Sequence, residues 1–226
     1  MLVLKIHGTI ALMDSAFSDN YRFLARYNRW FNQRLYAACD GLSDTARKQD
    51  RGAFFGSIHR TLNHLLVADQ VWLRRFVDCG TVHSAVWPML TDAIRMPPHH
   101  PLNQPLHADW NALRTHRETL DAALEAWLAD APADMPSWTM AYANSQGTQR
   151  QHPLWQALTH FFNHQTHHRG QVTTLLSQQG VDIGVTDLIA LSDTSSVDCQ
   201  PSAIPMSASA AKIQVPATPP QIHNPR

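Results

Sequence analysis

Between residues 17 and 191, apolar side chains return at steps of three and four, the period of a helix with one buried face. Over residues 19–40 the series runs Tyr21, Leu24, Tyr27, Phe31 (or Asn28), Leu35 and Ala38, with Ser18 or Asp19 placed to cap the start and Gly41 to end it. Over residues 53–78 it runs Ile58, Leu62, Leu65, Asp69, Trp72 and Phe76, with Gly80 as the stop. A third stretch, 106–129, carries Trp110, Leu113, Leu120, Leu124, Trp127 and Leu128 and meets Pro132. The fourth, 153–179, carries Leu154, Leu158, Phe161, Phe162, Val172, Leu175 and Leu176, with Pro153 suited to its first turn and Gly180 to its C-cap. The pattern predicts an all-α fold of four helices.

The connections are unequal. The first is short. The second, about residues 80–105, is long and holds MPPHHPLNQP, so it can carry the chain across a bundle. The third contains TMAYANSQGTQRQ, whose alternation around Gly147 predicts a small hairpin. From Ser192 onward Ser, Ala, Pro, Gln and Thr replace the periodic face, and the expectation for 192–226 is a disordered tail, because such a segment buries too little to offset its ordering entropy. Residues 1–16 read as an N-terminal extension, with Met13 an alternative start.

Charge and composition narrow the function classes. Lys+Arg and Asp+Glu are equal at 18 each, which gives no basic surface for nucleic acid or anionic membrane. The 3 cysteines, Cys39, Cys79 and Cys199, are odd in number and far apart, so a reducing, cytoplasmic setting is expected rather than a disulfide framework. The apolar stretch in residues 2–13 is broken by Lys5, His7 and Gly8, and no later run approaches the roughly 20 apolar residues that span a bilayer. Trp30, Trp72, Trp110 and Trp127 fall at helical steps and read as core. Trp87, Trp138 and Trp155 read as core or as walls of a pocket mouth.

The chain holds 14 histidines, and most of them, including His7, His83, His99, His100, His107, His116, His152 and His223, read as surface or loop residues. The exception is HFFNHQTHHRGQ, residues 160–171. His164 and His168, one turn apart, share a helix face with apolar residues, so they can hold one metal ion from consecutive turns. His160 extends that row or faces solvent, and His167 lies off the face. A third ligand has to come from another helix. His64, beside the small residues Thr61, Ala68 and Val71, fits better than His59, which falls beside Arg60 on a more polar side. Asp69, Asn163, Arg169 and Gln171 are candidates to support the ligands. Asp69 could act as a base, but a salt bridge to Arg26, Arg29 or Arg169 is the favoured reading.

The segments YNRWFNQRLY, GSIHRTLNHLLVADQVWLRRF and HFFNHQTHHRGQVTTLLSQQG followed by TDLIAL resemble, in order, the DinB family of damage-inducible bundle proteins, over about residues 17–191. The resemblance implies a DinB/YfiT-like four-helix bundle, up-down-down-up, with the long crossover between helices two and three. It also implies a divalent metal, zinc, nickel, iron, copper or manganese being indistinguishable, held by His64, His164 and His168. The implied function is a metal-dependent enzyme acting on a small molecule with a low-molecular-weight thiol, as an S-transferase or in detoxification. A metal-dependent hydrolase and a non-catalytic, stress-induced metal-binding protein are the alternatives. A homodimer is a further expectation.

Overall fold

The computed structural model describes residues 2–193, with side chains described over 16–191; the tail expected from Ser192 lies almost wholly outside the described residues. In chain order the elements are α1 (Leu2–Asp40), α2 (Asp44–Lys48), α3 (Ile58–Val82), α4 (Pro88–Ala93), α5 (Trp110–Asp130), a single 3-10 turn (Met135–Ser137), β1 (Thr139–Ala143), β2 (Gln149–Pro153), α6 (Leu154–Ser177) and α7 (Ala190–Asp193). The described chain is mostly helical, as the periodicity predicts.

The long helices α1, α3, α5 and α6 coincide with the four periodic stretches, but their ends differ. α1 runs back to Leu2, so Ser18 is not a cap. It lies within the helix, buried, and its hydroxyl donates to the Ala133 carbonyl. α3 starts at Ile58 rather than near residue 53, because Ser57 caps it by accepting from the Arg60 amide. The residues before it form a turn in which Gly52 and Gly56 take positive φ and the Arg51 amide donates to the Gly56 carbonyl. Asp109 caps α5 in the same way, accepting from Ala112. Pro153 ends β2 rather than opening a helical turn, and α6 follows at once, its Leu154 amide bonded to the Trp138 carbonyl.

Side-chain contacts give the relative directions of the helices. Along α1 and α5, Arg22 reaches Leu128, Asn28 reaches Asp121 and Asp40 reaches Arg114, so the two run in opposite directions. Tyr21 bonds the Trp155 carbonyl and Asn28 accepts from Arg169, so α1 and α6 run in the same direction. Trp72 meets His160 and His64 meets His168, so α3 and α6 are antiparallel. Phe76, Trp127, Phe161, Leu66, Leu120 and Leu158 are fully buried between them. Trp110 and Trp127 are core, as expected, while Trp30 and Trp72 pack half-buried at its edge.

A polar cluster interrupts this core. Asp121 accepts from Asn28 and Asn32 and lies beside the Arg117 guanidinium, which also binds Asp69. Burying a charge is costly unless it is paired, and this network pairs its carboxylates.

The crossover between α3 and α5 is laid across α3 by specific bonds. Gln70 Oε1 accepts from the Arg95 and Met96 amides. Asn63 bonds both the amide and the carbonyl of His107, and His59 donates to that same carbonyl. The crossover also contains α4, which the Pro- and His-rich sequence conceals. No helix among the described residues is long and apolar enough to cross a membrane.

Candidate metal centre

His64 projects from α3 across to His164 and His168 on α6, and the three offer ring nitrogens that all lie within 4.8 Å of one another. The Nε2 atoms of His64 and His164 are 3.3 Å apart, and those of His164 and His168 are 3.1 Å apart. A tetrahedral ion with metal–nitrogen bonds of ~2.0–2.1 Å separates its ligand nitrogens by about 3.3 Å. The triad could therefore hold one metal ion.

The hydrogen bonds fix which nitrogens face the centre. His64 Nδ1 lies 3.2 Å from the Leu102 carbonyl, which can only accept, so that nitrogen carries the proton and Nε2 is left with its lone pair. His168 Nδ1 donates to Gln171 Oε1 at 2.7 Å and is fixed in the same way. Two lone pairs thus point at His164 Nε2, which carries at most one hydrogen and can satisfy only one of them. A cation satisfies all three nitrogens at once.

Burial reinforces this arrangement by keeping the rings neutral. It pushes the His64 and His168 pKa values down. His164 goes furthest, to about 3, through burial and then the facing His168 and His64. Neutral imidazole is the form that binds metal.

The DinB family's sequence model matches residues 16–201. The chain belongs to the DinB family. No curated protein and no solved structure matches it. In this DinB protein the Leu102 carbonyl comes from the crossover, and Phe55, in the turn before α3, stacks on His64 with ring centroids 4.0 Å apart. Phe55 also lies 5.4 Å from the His168 ring, so it forms one wall of the centre. Sequence reasoning overlooks Phe55 because it lies in an aperiodic turn.

The remaining candidates fall in different places. Gln171 is at the centre, holding His168. Asp69 is fully buried but bonds Arg117 and Gln165, not a histidine; its salt-bridge partner is Arg117 of α5 rather than Arg26, Arg29 or Arg169. Burial raises its pKa to about 6. Arg169 turns away from the histidines, bonding Asn28 and lying over the rings of Tyr27 and Phe31. Asn163 and His167 are exposed, and His167 touches the centre only through its ring contact with His168.

His160 is exposed, 5.9 Å from His164 between ring centroids. His59, expected on a polar side, is buried and bonded to the His107 carbonyl. His116, expected at the surface, is a core histidine bonded to Ala93 and His107. Trp87 and Trp138 pack around each other and His83, and Trp155 against Phe17; none of the three walls the centre.

Proposed function

We propose that this DinB protein is an up-down-down-up four-helix bundle that binds one divalent metal ion through the Nε2 atoms of His64, His164 and His168. We further propose that it uses the centre to transfer a low-molecular-weight thiol onto a small electrophile. The directions of the side-chain contacts between α1, α3, α5 and α6 support the topology. The observation that carries the metal reading is the pair of locked tautomers, His64 by Leu102 and His168 by Gln171, that turns two lone pairs onto His164.

Three imidazoles leave coordination open, and an ion held there would supply Lewis acidity, binding an incoming thiol and lowering its pKa. His64, His164 and His168 hold and orient it; the Phe55 ring covers one side and limits water. Among the described residues no thiol reaches the centre: Cys39 and Cys79 are buried elsewhere, Cys79 against the Thr139 carbonyl. The sulfur nucleophile proposed here is external, a low-molecular-weight thiol.

A specific observation ranks thiol transfer above hydrolysis. Metal-assisted hydrolysis is helped by a carboxylate base close to the ion. Asp69, the carboxylate considered for that role, is locked by Arg117 and Gln165. A thiol, far more acidic than water, needs no such base once its pKa is lowered.

Elemental analysis of the purified protein tests the centre. About one equivalent of a divalent metal is expected in the wild type, with loss in His64→Ala and His168→Ala while helical circular dichroism is kept. Equal metal in wild type and variants overturns the reading. Turnover of an electrophile such as chlorodinitrobenzene only with both thiol and metal present then separates a transferase from a metal store.

A further inference from the structure

Beside the metal centre, toward the hairpin, lies a group of cationic and basic side chains with no acid among them. Arg75 on α3 has its guanidinium against two neighbouring rings, 4.7 Å from the Trp72 centroid and 4.4 Å from that of Tyr142 on β1, the two rings lying edge-to-face 5.5 Å apart. Its one hydrogen bond among the described residues, from Nη2 to the Ala143 carbonyl, is long at 3.4 Å. No carboxylate among the described residues forms an ion pair with it. The other surface or half-exposed arginines with acid partners, Arg22, Arg29 and Arg114, are neutralised locally.

Two more basic groups face the same place. His160 packs, tilted, against Trp72 with ring centroids 5.0 Å apart, and His152 Nε2 lies 3.4 Å from the Tyr142 hydroxyl. His160 is also the next ring along α6 from His164. The rings of His164, His160 and Trp72 therefore form a row of neighbours leading from the metal centre toward the guanidinium. Along α3, His64 and Arg75 are about 16 Å apart at ~1.5 Å per residue, and the arginine stem can shorten that span.

A guanidinium held by cation–π contact with two rings is kept in place with N–H groups left to donate, and its fork of donors suits a carboxylate or phosphate. Resting on the reading of the triad as a metal centre, we propose that Arg75, flanked by His160 and His152, is the anchor for an anionic group at the far end of the substrate. The substrate class is an elongated small molecule with a metal-seeking group at one end and a carboxylate or phosphate at the other. Arg75 positions this molecule and selects it; it does not take part in the reaction at the metal.

The test uses the full-length protein loaded with cobalt(II), whose absorption reports thiolate binding. The probes are mercaptopropionate and mercaptooctanoate, each paired with the corresponding mercaptoalcohol. For the wild type, mercaptooctanoate is expected to bind at least ~10-fold tighter than mercaptooctanol, and mercaptopropionate, too short to reach Arg75, to show no such preference. In Arg75→Gln the acid preference is expected to vanish while the affinity for the alcohol is unchanged.

Equal affinity for long acid and long alcohol in the wild type overturns the anchor, and so does an acid preference that survives Arg75→Gln. A merely structural role, tying the hairpin to α3, would weaken acid and alcohol alike, and that outcome also overturns it. Failure to bind cobalt at all is a different result, since it overturns the metal centre on which this inference stands.

Discussion

At the scale of single residues, the candidate ligands were legible because their spacing is itself chemistry. Two histidines one turn apart on an apolar face need a partner, and a third on a second helix completes the set. Their supports divide into legible and hidden. Gln171 follows His168 by three residues and could be guessed from helix geometry. The Leu102 carbonyl and the Phe55 ring belong to aperiodic segments, whose placement depends on the whole fold. Gln171→Ala should therefore lower metal affinity by about 10–100-fold with the fold intact, because His168 loses the bond that fixes its tautomer; competition against a chromophoric chelator measures it. Asp69 makes the opposite case, since it is structural. Removing it leaves Gln165 without its partner and Arg117 with Asp121 alone, and Asp69→Ala should cost about 1–3 kcal/mol of unfolding free energy in urea titrations. A protein of unchanged stability that loses only its activity would make Asp69 a functional carboxylate instead.

At the scale of elements, the helix bodies were legible and their ends were less so. Periodicity reports a buried face, but a helix ends where caps and tertiary contacts dictate. Gly80 illustrates the difference. As a glycine near the end of an apolar stripe it reads as a stop, yet α3 continues through it to Val82. The structure gives the glycine another reason: a Cβ there would meet the Trp87 ring at 2.5 Å. The absent side chain lets α3 pack against the ring that leads into α4. Gly80→Ala gains about 1 kcal/mol of helix propensity but loses about 1–3 kcal/mol to overpacking. The net expected result is a lower urea midpoint, relieved when Trp87→Leu is added. An alanine variant more stable than wild type would show that Trp87 moves aside freely. The hairpin was legible for the converse reason, because Gly147 takes positive φ in a turn between short alternating strands, which is local information.

At the scale of the whole molecule, histidine is the residue whose burial the sequence conceals. His59 and His116 lie in polar-looking surroundings, yet both are buried and tie the crossover and α4 to the long helices. Burial pushes His116 down to about 4, and it lowers His59, His64, His107, His164 and His168 in the same direction. The unfolded chain, with ordinary imidazoles near pH 6.5, then binds more protons than the native one, so stability rises with pH in this range. It is fully present above about pH 6.5 and is lost as pH falls from there through about 4. Asp69, raised to about 6, opposes this, because the native state binds its proton first. The several histidines outweigh one carboxylate, and the metal-free protein should show a falling urea midpoint between about pH 7 and pH 5. A saturating divalent ion stabilises only the native state, by about 2.7 kcal/mol at a hundredfold excess over its dissociation constant. Protons compete with it for the same three imidazoles, so the metal-loaded protein should be the more stable at about pH 7 and converge on the metal-free one as the pH falls. Parallel curves, with a metal increment independent of pH, would mean that the ion is held by groups other than these histidines.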